Sequence, residues 1–271
     1  MFKFNFTSHL VLVIVCSLFI SPKNAHSQRT VIQANYEIKL AEDDFFFDSQ
    51  LITDGVSSIF RFKYNDKSAV WNRRQETNVA QGELEGVSQT VYTDSIGEVI
   101  YNKNLLDPTI KVRGFCKADE IFIYEDSVAF EWTIKKDEKI IGGVNCRKAV
   151  CKFRGRKYEV FYNPNIGSFA GPWKFSGLPG LIVEVRDKRE TVIISLKSIE
   201  ILEVSPEILY NFSASGDNTS YSEAKECMDK EWLKKVEKMR ANAQLIQAEY
   251  PNLDIEFEAS ETRTVTELEF D

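Results

Sequence analysis

The sequence predicts a mainly β protein: a curved antiparallel sheet or partly open barrel with a C-terminal amphipathic helix. Three observations lead there. Short β-branched and aromatic runs recur along the chain, each bounded by Gly, Pro, Asp or Asn. The gaps between them leave no room for crossover helices, so neighbouring strands should pair through hairpins. A clear helical period appears only near the C-terminus.

The chain opens as an export signal. Lys3 supplies the charged start, residues 10–20 an apolar run, and Ala25-His26-Ser27 a small-x-small cleavage site, so the mature chain is expected from Gln28. Cys16 lies inside the apolar run after the bulky Val15, which argues against a lipoprotein signal. No later stretch reaches the roughly 18 apolar residues of a membrane helix, so no transmembrane segment is expected. The expected destination is the periplasm, the outer-membrane surface or the medium.

Losing residues 1–27 changes the available chemistry. His9 and His26 are the chain's two histidines and both fall in the signal. Ser-His-Asp triads, Cys-His dyads and His-ligated metal sites therefore have no imidazole in the mature chain. Without Lys3 and Lys23, 32 basic residues face 41 acidic ones, a net −9. That balance argues against nucleic acid, whose phosphates need clustered positive charge. No cofactor or metal is expected, and no C-x-x-C pair supports a zinc site.

Residues 28–271 read as one β-rich domain. In 30–40, Ile32, Ala34, Tyr36, Ile38 and Leu40 alternate with polar residues, a half-buried strand. Three phenylalanines among acids follow, and then the turn residues Asp54-Gly55. A strand at 59–64 should bury Phe60, Phe62 and Tyr64, and the polar stretch 65–86 reads as a long loop. Further strands are expected at 87–93, 98–102, 109–116, 121–124, 130–135, 144–153, 157–163, 181–186 and 191–204. In the last, Val192, Ile194, Leu196 and 199–202 look substantially buried.

The helix spans about 220–250. Ser220 and Glu223 have capping-box spacing, and Pro251 stops it. Met228, Trp232, Val236, Met239, Ala243, Ile246 and Tyr250 form one apolar stripe. Its polar side is rich in lysine; a basic amphipathic helix can lie on anionic lipid, but a docked helix with a solvated outer face is the reading taken. Leu253, Ile255 and Phe257 suggest an edge strand, and 260–271 an acidic, mobile tail.

Four cysteines remain after cleavage: Cys116, Cys146, Cys151 and Cys227. An even count in an exported chain favours disulfides. Cys146 and Cys151 share one expected strand five positions apart, so their side chains face opposite ways at about 16 Å and should not pair. Cys116 and Cys227 are then each expected to take one of them, one bond tying the helix to the sheet.

Segment 171–182, GPWKFSGLPGLI, sets three glycines and two prolines around Trp173, Lys174 and Phe175. Leu178-Pro179-Gly180-Leu181 fits a type II turn, with Gly171, Pro172 and Gly177 marking further bends. The segment is either a structural plug at one end of the sheet or a recognition loop offering Trp173 and Phe175 for stacking and Lys174 for charge. Arg154, Arg156 and Lys157, around a turn at Gly155, can bind an anion bidentately or pair internally with Glu159 or the acidic tail.

Acid–base chemistry has one weak candidate, Glu159 with Glu184 on strands flanking that segment. Ser222 and Lys225 spell a serine–lysine pattern without its companion motifs, and no nucleophile elbow, P-loop or EF-hand loop is present. No catalytic residue is therefore named.

Residues 130–185 resemble the GLPGLI family of exported Bacteroidetes proteins. The likeness is carried by Glu131-Trp132, the run KIIGGVNCRKA at 139–149, FRGRK at 153–157, Phe161-Tyr162 and GPWKFSGLPGLI. Phe161, where relatives have Trp, and Asn163-Pro164-Asn165-Ile166, where they tend to carry an acid and a second proline, depart from the pattern. The resemblance implies export and a fold without an established activity. The reading is a non-catalytic binding or accessory protein, its partner an outer-membrane or envelope protein or a hydrophobic ligand. The alternatives are a carboxylate-dependent hydrolase of glycan or peptide and a lipid carrier.

Overall fold

The computed structural model describes residues 28–40, 45–64, 96–117, 120–205 and 216–249. The expected signal, the loop at 65–86, the strand at 87–93 and everything from Tyr250 onward, including the edge strand and acidic tail, lie outside the described residues. The strands are β1 (Arg29–Leu40), β2 (Phe45–Thr53), β3 (Ser58–Tyr64), β4 (Glu98–Asn102), β5 (Thr109–Lys117) and β6 (Glu120–Ser127). They continue as β7 (Thr133–Ile141), β8 (Val144–Phe153), β9 (Arg156–Asn163), β10 (Leu181–Asp187), β11 (Val192–Val204) and β12 (Asp217–Asn218), before helix α1 (Tyr221–Glu249).

All twelve strands join one sheet in the order β12-β6-β5-β4-β3-β2-β1-β11-β10-β9-β8-β7. Its pairs are antiparallel except for the short β12, which runs parallel to β6. The chain walks outward from β1 to β6, jumps to the far edge at β7, and walks back to β11 beside β1.

That jump forces the shape. Ser127 ends β6 and Thr133 begins β7, six Cα steps apart, a reach of about 20 Å at full extension. The two strands stand ten places apart in the order, about 48 Å on a flat sheet. Only a sheet curled until its edges approach satisfies both. It is curved and open, as expected: β7 pairs with β8 alone among the described residues.

The concave face holds the main core. On β1 it is the even series, Ala34, Tyr36 and Ile38, joined by Leu51, Phe60 and Val160. A smaller cluster of Val31, Ile52, Ile59 and Val99 lies on the opposite face, the odd series of β1. Phe60 is buried as expected; the side chains of Phe62 and Tyr64 lie outside the described residues.

Two strands differ from the sequence reading for physical reasons. β2 escaped notice because its buried positions include Ser49 and Thr53, whose hydroxyls donate to the carbonyls of Tyr36 and Ser57 at 3.2 and 2.7 Å. β7 runs through the charged stretch Lys135–Lys139, whereas a strand was expected at 130–135. Exposed on both faces for nearly its whole length, it has no apolar alternation to read. In β11, Ile201 is 73 % exposed rather than buried, while Val192 and Ile194 are in the core as expected.

Helix α1 starts as its capping box requires. Glu223 N–H donates to Ser220 Oγ at 3.2 Å, and Ser220 N–H to Glu223 Oε2 at 2.9 Å. The Ser220 N–H bond leads the effects that lower the Glu223 pKa. Ala224, Trp232 and Val236 are buried and Met228 partly so. Three lysines outside that stripe meet acids, Lys225 with Asp229, Lys230 with Glu226 and Lys234 with Glu231.

Cys116 of β5 is joined to Cys227 of α1, Cα–Cα 5.8 Å, closing a separation of 111 residues. The helix is tied to the sheet, but by a pairing that corrects the expected one. Cys146 and Cys151 are free and buried, not bonded to each other or to the other two. Strand geometry separates them: Cys151 lines the concave core with Ala149 and Phe153, and Cys146 has the opposite phase.

Candidate functional site

Segment 171–182 folds inward. Ala170 and Ser176 form an antiparallel bridge, Gly177 N–H donates to Phe169 O at 2.8 Å, and Phe175 N–H returns to Pro172 O at 3.1 Å. The result is a miniature hairpin with Trp173, Lys174 and Phe175 at its tip. Trp173 takes φ +54°, a left-handed conformation that costs a non-glycine residue about 1–2 kcal/mol and persists here under the surrounding packing. A Cβ on Gly171 would sit 2.7 Å from Phe175 O and from Ile182 Cδ1, so the hairpin's base can close only on glycine.

The exit turn is tighter than the expected type II. Gly180 N–H donates to Leu178 O at 2.8 Å, bridging Pro179 alone, an inverse γ-turn that suits proline's fixed φ. Gly180 has φ +148°, and a Cβ there would lie 2.3 Å from Asn163 O. The chain then enters β10, where Ile182 O accepts a 2.6 Å bond from the buried Tyr36 hydroxyl.

The tip rings are inside the molecule. Phe175 packs within 4.9 Å of Tyr158, 5.1 Å of Phe130 and 5.4 Å of Trp173, centroid to centroid. Phe130 stacks on Trp132 at 5.3 Å, and Trp132 Nε1 donates to Ser176 O at 2.9 Å. This aromatic group belongs partly to residues 128–132, the link that crosses from one sheet edge to the other. Trp173 and Phe175 are thus not offered at the surface for stacking; Gly177 and Pro179 are the exposed points of the segment.

Lys174 points into a polar pocket in this apolar setting. Its Nζ donates to Asp126 Oδ2 at 2.8 Å, and both side chains are nearly fully buried. The other oxygen, Oδ1, accepts from Arg154 Nη2 at 2.7 Å. Arg154 also donates through Nη1 to the Tyr221 hydroxyl at 2.9 Å and lies 4.7 Å from that ring. Lys174 Nζ stands 5.3, 5.8 and 6.0 Å from the rings of Trp173, Tyr124 and Tyr221. Burial pushes the Lys174 amine down to about 8, against the opposing pull of Asp126. Burial likewise raises the Tyr124 hydroxyl.

One carboxylate therefore gathers four elements. Asp126 is on β6 and Lys174 on the inward hairpin; Arg154 sits at the β8–β9 turn and Tyr221 begins α1. The turn itself has Arg154 at φ +43° and Gly155 at +78°, the type I′ geometry of a two-residue hairpin. Across the seam between the two ends of the curled sheet, Asp126 acts as a clasp.

The other expected site residues separate. Arg156 donates to Thr191 Oγ1 at 2.9 Å and lies 3.5 Å from Asp187, whose second oxygen accepts from Val192 N–H at 2.9 Å. Lys157 is exposed. The expected internal partner Glu159 instead meets Lys148 at 2.9 Å. Glu184 is buried and accepts from Lys139 Nζ at 3.0 and 3.2 Å, with Arg186 Nε at 3.5 Å. Glu184 is registered opposite Phe161, and Glu159 opposite Arg186, on neighbouring strands.

Burial raises both free thiols, Cys151 to about 12, so neither is a reactive thiolate near neutral pH. Glu120 lies 3.9 Å from Cys227 Sγ, but a sulfur held in a disulfide is no metal thiolate.

Sequence reasoning passed over Asp126, and its signal was present. Phe122, Tyr124 and Asp126 share the buried phase of β6, so an acid sits in step with core residues. Such an acid needs an internal cation.

No protein-family model matches the chain, and no curated protein matches it. Among solved structures, PNGF-II in two crystal forms is similar with TM-scores of 0.49 and 0.48 at 14 % identity, over 73 % and 74 % of this chain. The chain spans 32 % and 33 % of those two chains, about a third of their length. An uncharacterized conserved protein from Thermus thermophilus is similar at a TM-score of 0.38 and 7 % identity, over 72 % of this chain and 92 % of its own.

Proposed function

We propose that this is an exported, non-catalytic binding or accessory protein of the cell envelope, of the GLPGLI type. One observation carries the reading: the buried Asp126 pairs with the buried Lys174 and the part-buried Arg154 to hold the curled sheet together. The segment with the strongest motif acts as an internal clasp, and its tip rings fill the concave face where a lipid carrier would need room.

Disulfide chemistry suits an oxidising compartment, and among the described residues no helix is long and apolar enough to cross a membrane. The test combines location and turnover. Expressed from its full gene, the chain should lose residues 1–27 and be recovered outside the cytoplasm. Purified, it should leave glycan and peptide substrates intact. Hydrolysis abolished by Glu184→Gln or Glu159→Gln would replace this reading with a carboxylate hydrolase. A lipid retained in native mass spectrometry would replace it with a carrier.

A further inference from the structure

The β7–β8 hairpin stands away from the core. β7 is exposed residue after residue, and β8 buries nothing before Cys146. Its turn is Gly142-Gly143, both at positive φ (+58° and +81°), with open space where either Cβ would be. The tip is nonetheless apolar. Ile140 is 74 % exposed and Val144 37 % exposed, with Ile141 between them in sequence.

Those side chains occupy both faces. Ile141 and Val144 are directly paired across the hairpin and so share one face, while Ile140, the next residue along, points to the other. A protein partner packing on one face would leave the other apolar face wet. A lipid interface surrounds the tip and covers both.

Charge favours the same occupant. Between Thr133 and Lys148 the arm carries Lys135, Lys136, Lys139, Arg147 and Lys148 against Asp137 and Glu138; Lys139 and Lys148 are paired with Glu184 and Glu159 outside it, which leaves a net +1 and puts the positive charge on Lys135 and Lys136. Lys135 and Lys136 are exposed behind the tip. Apolar residues at the end with cations four and five residues behind Ile140 follow the layering of an anionic bilayer, hydrocarbon beneath phosphate.

We propose that the β7–β8 hairpin is a membrane-surface anchor that inserts Ile140, Ile141 and Val144 into an anionic lipid interface, with Lys135 and Lys136 against the headgroups. The proposal concerns the hairpin alone and stands or falls separately from the accessory role.

The test is co-sedimentation of the chain from Gln28, where the described fold begins, because residues 10–20 would bind lipid by themselves. The probes are vesicles of phosphatidylcholine with and without phosphatidylglycerol. Wild type should bind the mixed vesicles and not the zwitterionic ones. Ile140→Asn with Val144→Asn should weaken binding at least tenfold. Lys135→Gln with Lys136→Gln should weaken it roughly thirty-fold at low salt. Both pairs are exposed, so unchanged circular dichroism verifies the fold. No binding to mixed vesicles, equal binding to both vesicle types, or unchanged binding by the tip variant overturns the proposal. So does loss only in Lys234→Gln with Lys238→Gln, which would move the contact to α1. Capture of a protein through the tip without vesicle binding would make it a protein contact instead.

Discussion

Segment 171–182 and the tip of the β7–β8 hairpin are built from the same ingredients: lysine, large apolar side chains and turn-forming glycines. They end in opposite places. In the first, Trp173, Lys174 and Phe175 are buried, and the lysine finds Asp126 at 2.8 Å. In the second, Ile140 and Val144 face outward and Lys135 and Lys136 are exposed. What separates them is topology. Segment 171–182 leaves β9 and returns to β10 in the interior of the sheet order, with a concave core to fill. The hairpin includes the edge strand, where the curled sheet has run out of neighbours to cover it.

The sharpest way to break that comparison is to remove the partner that lets a lysine go inside. Asp126→Ala removes the carboxylate that Lys174 and Arg154 share, and the expected loss is about 3–5 kcal/mol in urea unfolding. Adding Lys174→Met to that variant should recover a large part, because the two sites share one interaction. An Asp126→Ala loss below about 1 kcal/mol would show that water already screens the clasp.

Next in size is the tether between helix and sheet. Cys116→Ser with Cys227→Ser removes a cross-link closing 111 residues, and about 2–4 kcal/mol should go with it. Non-reducing peptide mapping should find a Cys116–Cys227 link and leave Cys146 and Cys151 as thiols. Those thiols should react with a disulfide reagent only after denaturation, since both are buried.

The clasp and the hairpin also differ in how far they were legible. β1, β8 and the capped start of α1 were readable because one face of each is apolar or its end residues satisfy backbone groups locally, and β4 because Val99 and Ile100 make both of its faces apolar. β2 was hidden by Ser49 and Thr53 on its buried face. The far half of β7 was hidden because it buries no apolar side chain. Burial of segment 171–182 was one of two readings its composition allowed. Its partner could not be deduced: Asp126 lies 48 residues earlier, and the contact exists only because the sheet curls. The cysteine pairing failed for the same reason, since strand phase separates Cys146 from Cys151 but does not bring α1 beside β5.

Lys174 itself gives a smaller, pH-dependent effect. Its folded pKa of about 8 lies below its ordinary value of 10.5. Between those values the unfolded chain holds more protons on this residue than the folded one does, so its contribution to stability rises with pH. The stability of the wild type minus that of Lys174→Met, measured at pH 7, 8 and 9, should show that rise, because unfolded-state ionisation of Cys146, Cys151 and the tyrosines cancels in the difference. Lys174→Met should lose that part of the slope while costing about 1 kcal/mol at pH 7, because Arg154 still neutralises Asp126. An equal slope in both proteins would mean that Asp126 keeps Lys174 charged throughout.

The smallest expected effect is at the hairpin, and it is informative because it should be small. Ile140→Ser removes an apolar side chain that is 74 % exposed, so stability should change by no more than about 0.5 kcal/mol. Burial of an isoleucine of the same size in the core contributes about 1.5–3 kcal/mol. A loss in that range would mean that Ile140 is covered in solution and that the hairpin folds back as segment 171–182 does. A neutral result leaves an isoleucine that the fold does not need for its own stability, at the tip of an arm with net positive charge. Measured beside Asp126→Ala, it fixes the two ends of one scale: a lysine-bearing turn the fold depends on, and a lysine-bearing turn free to meet something else.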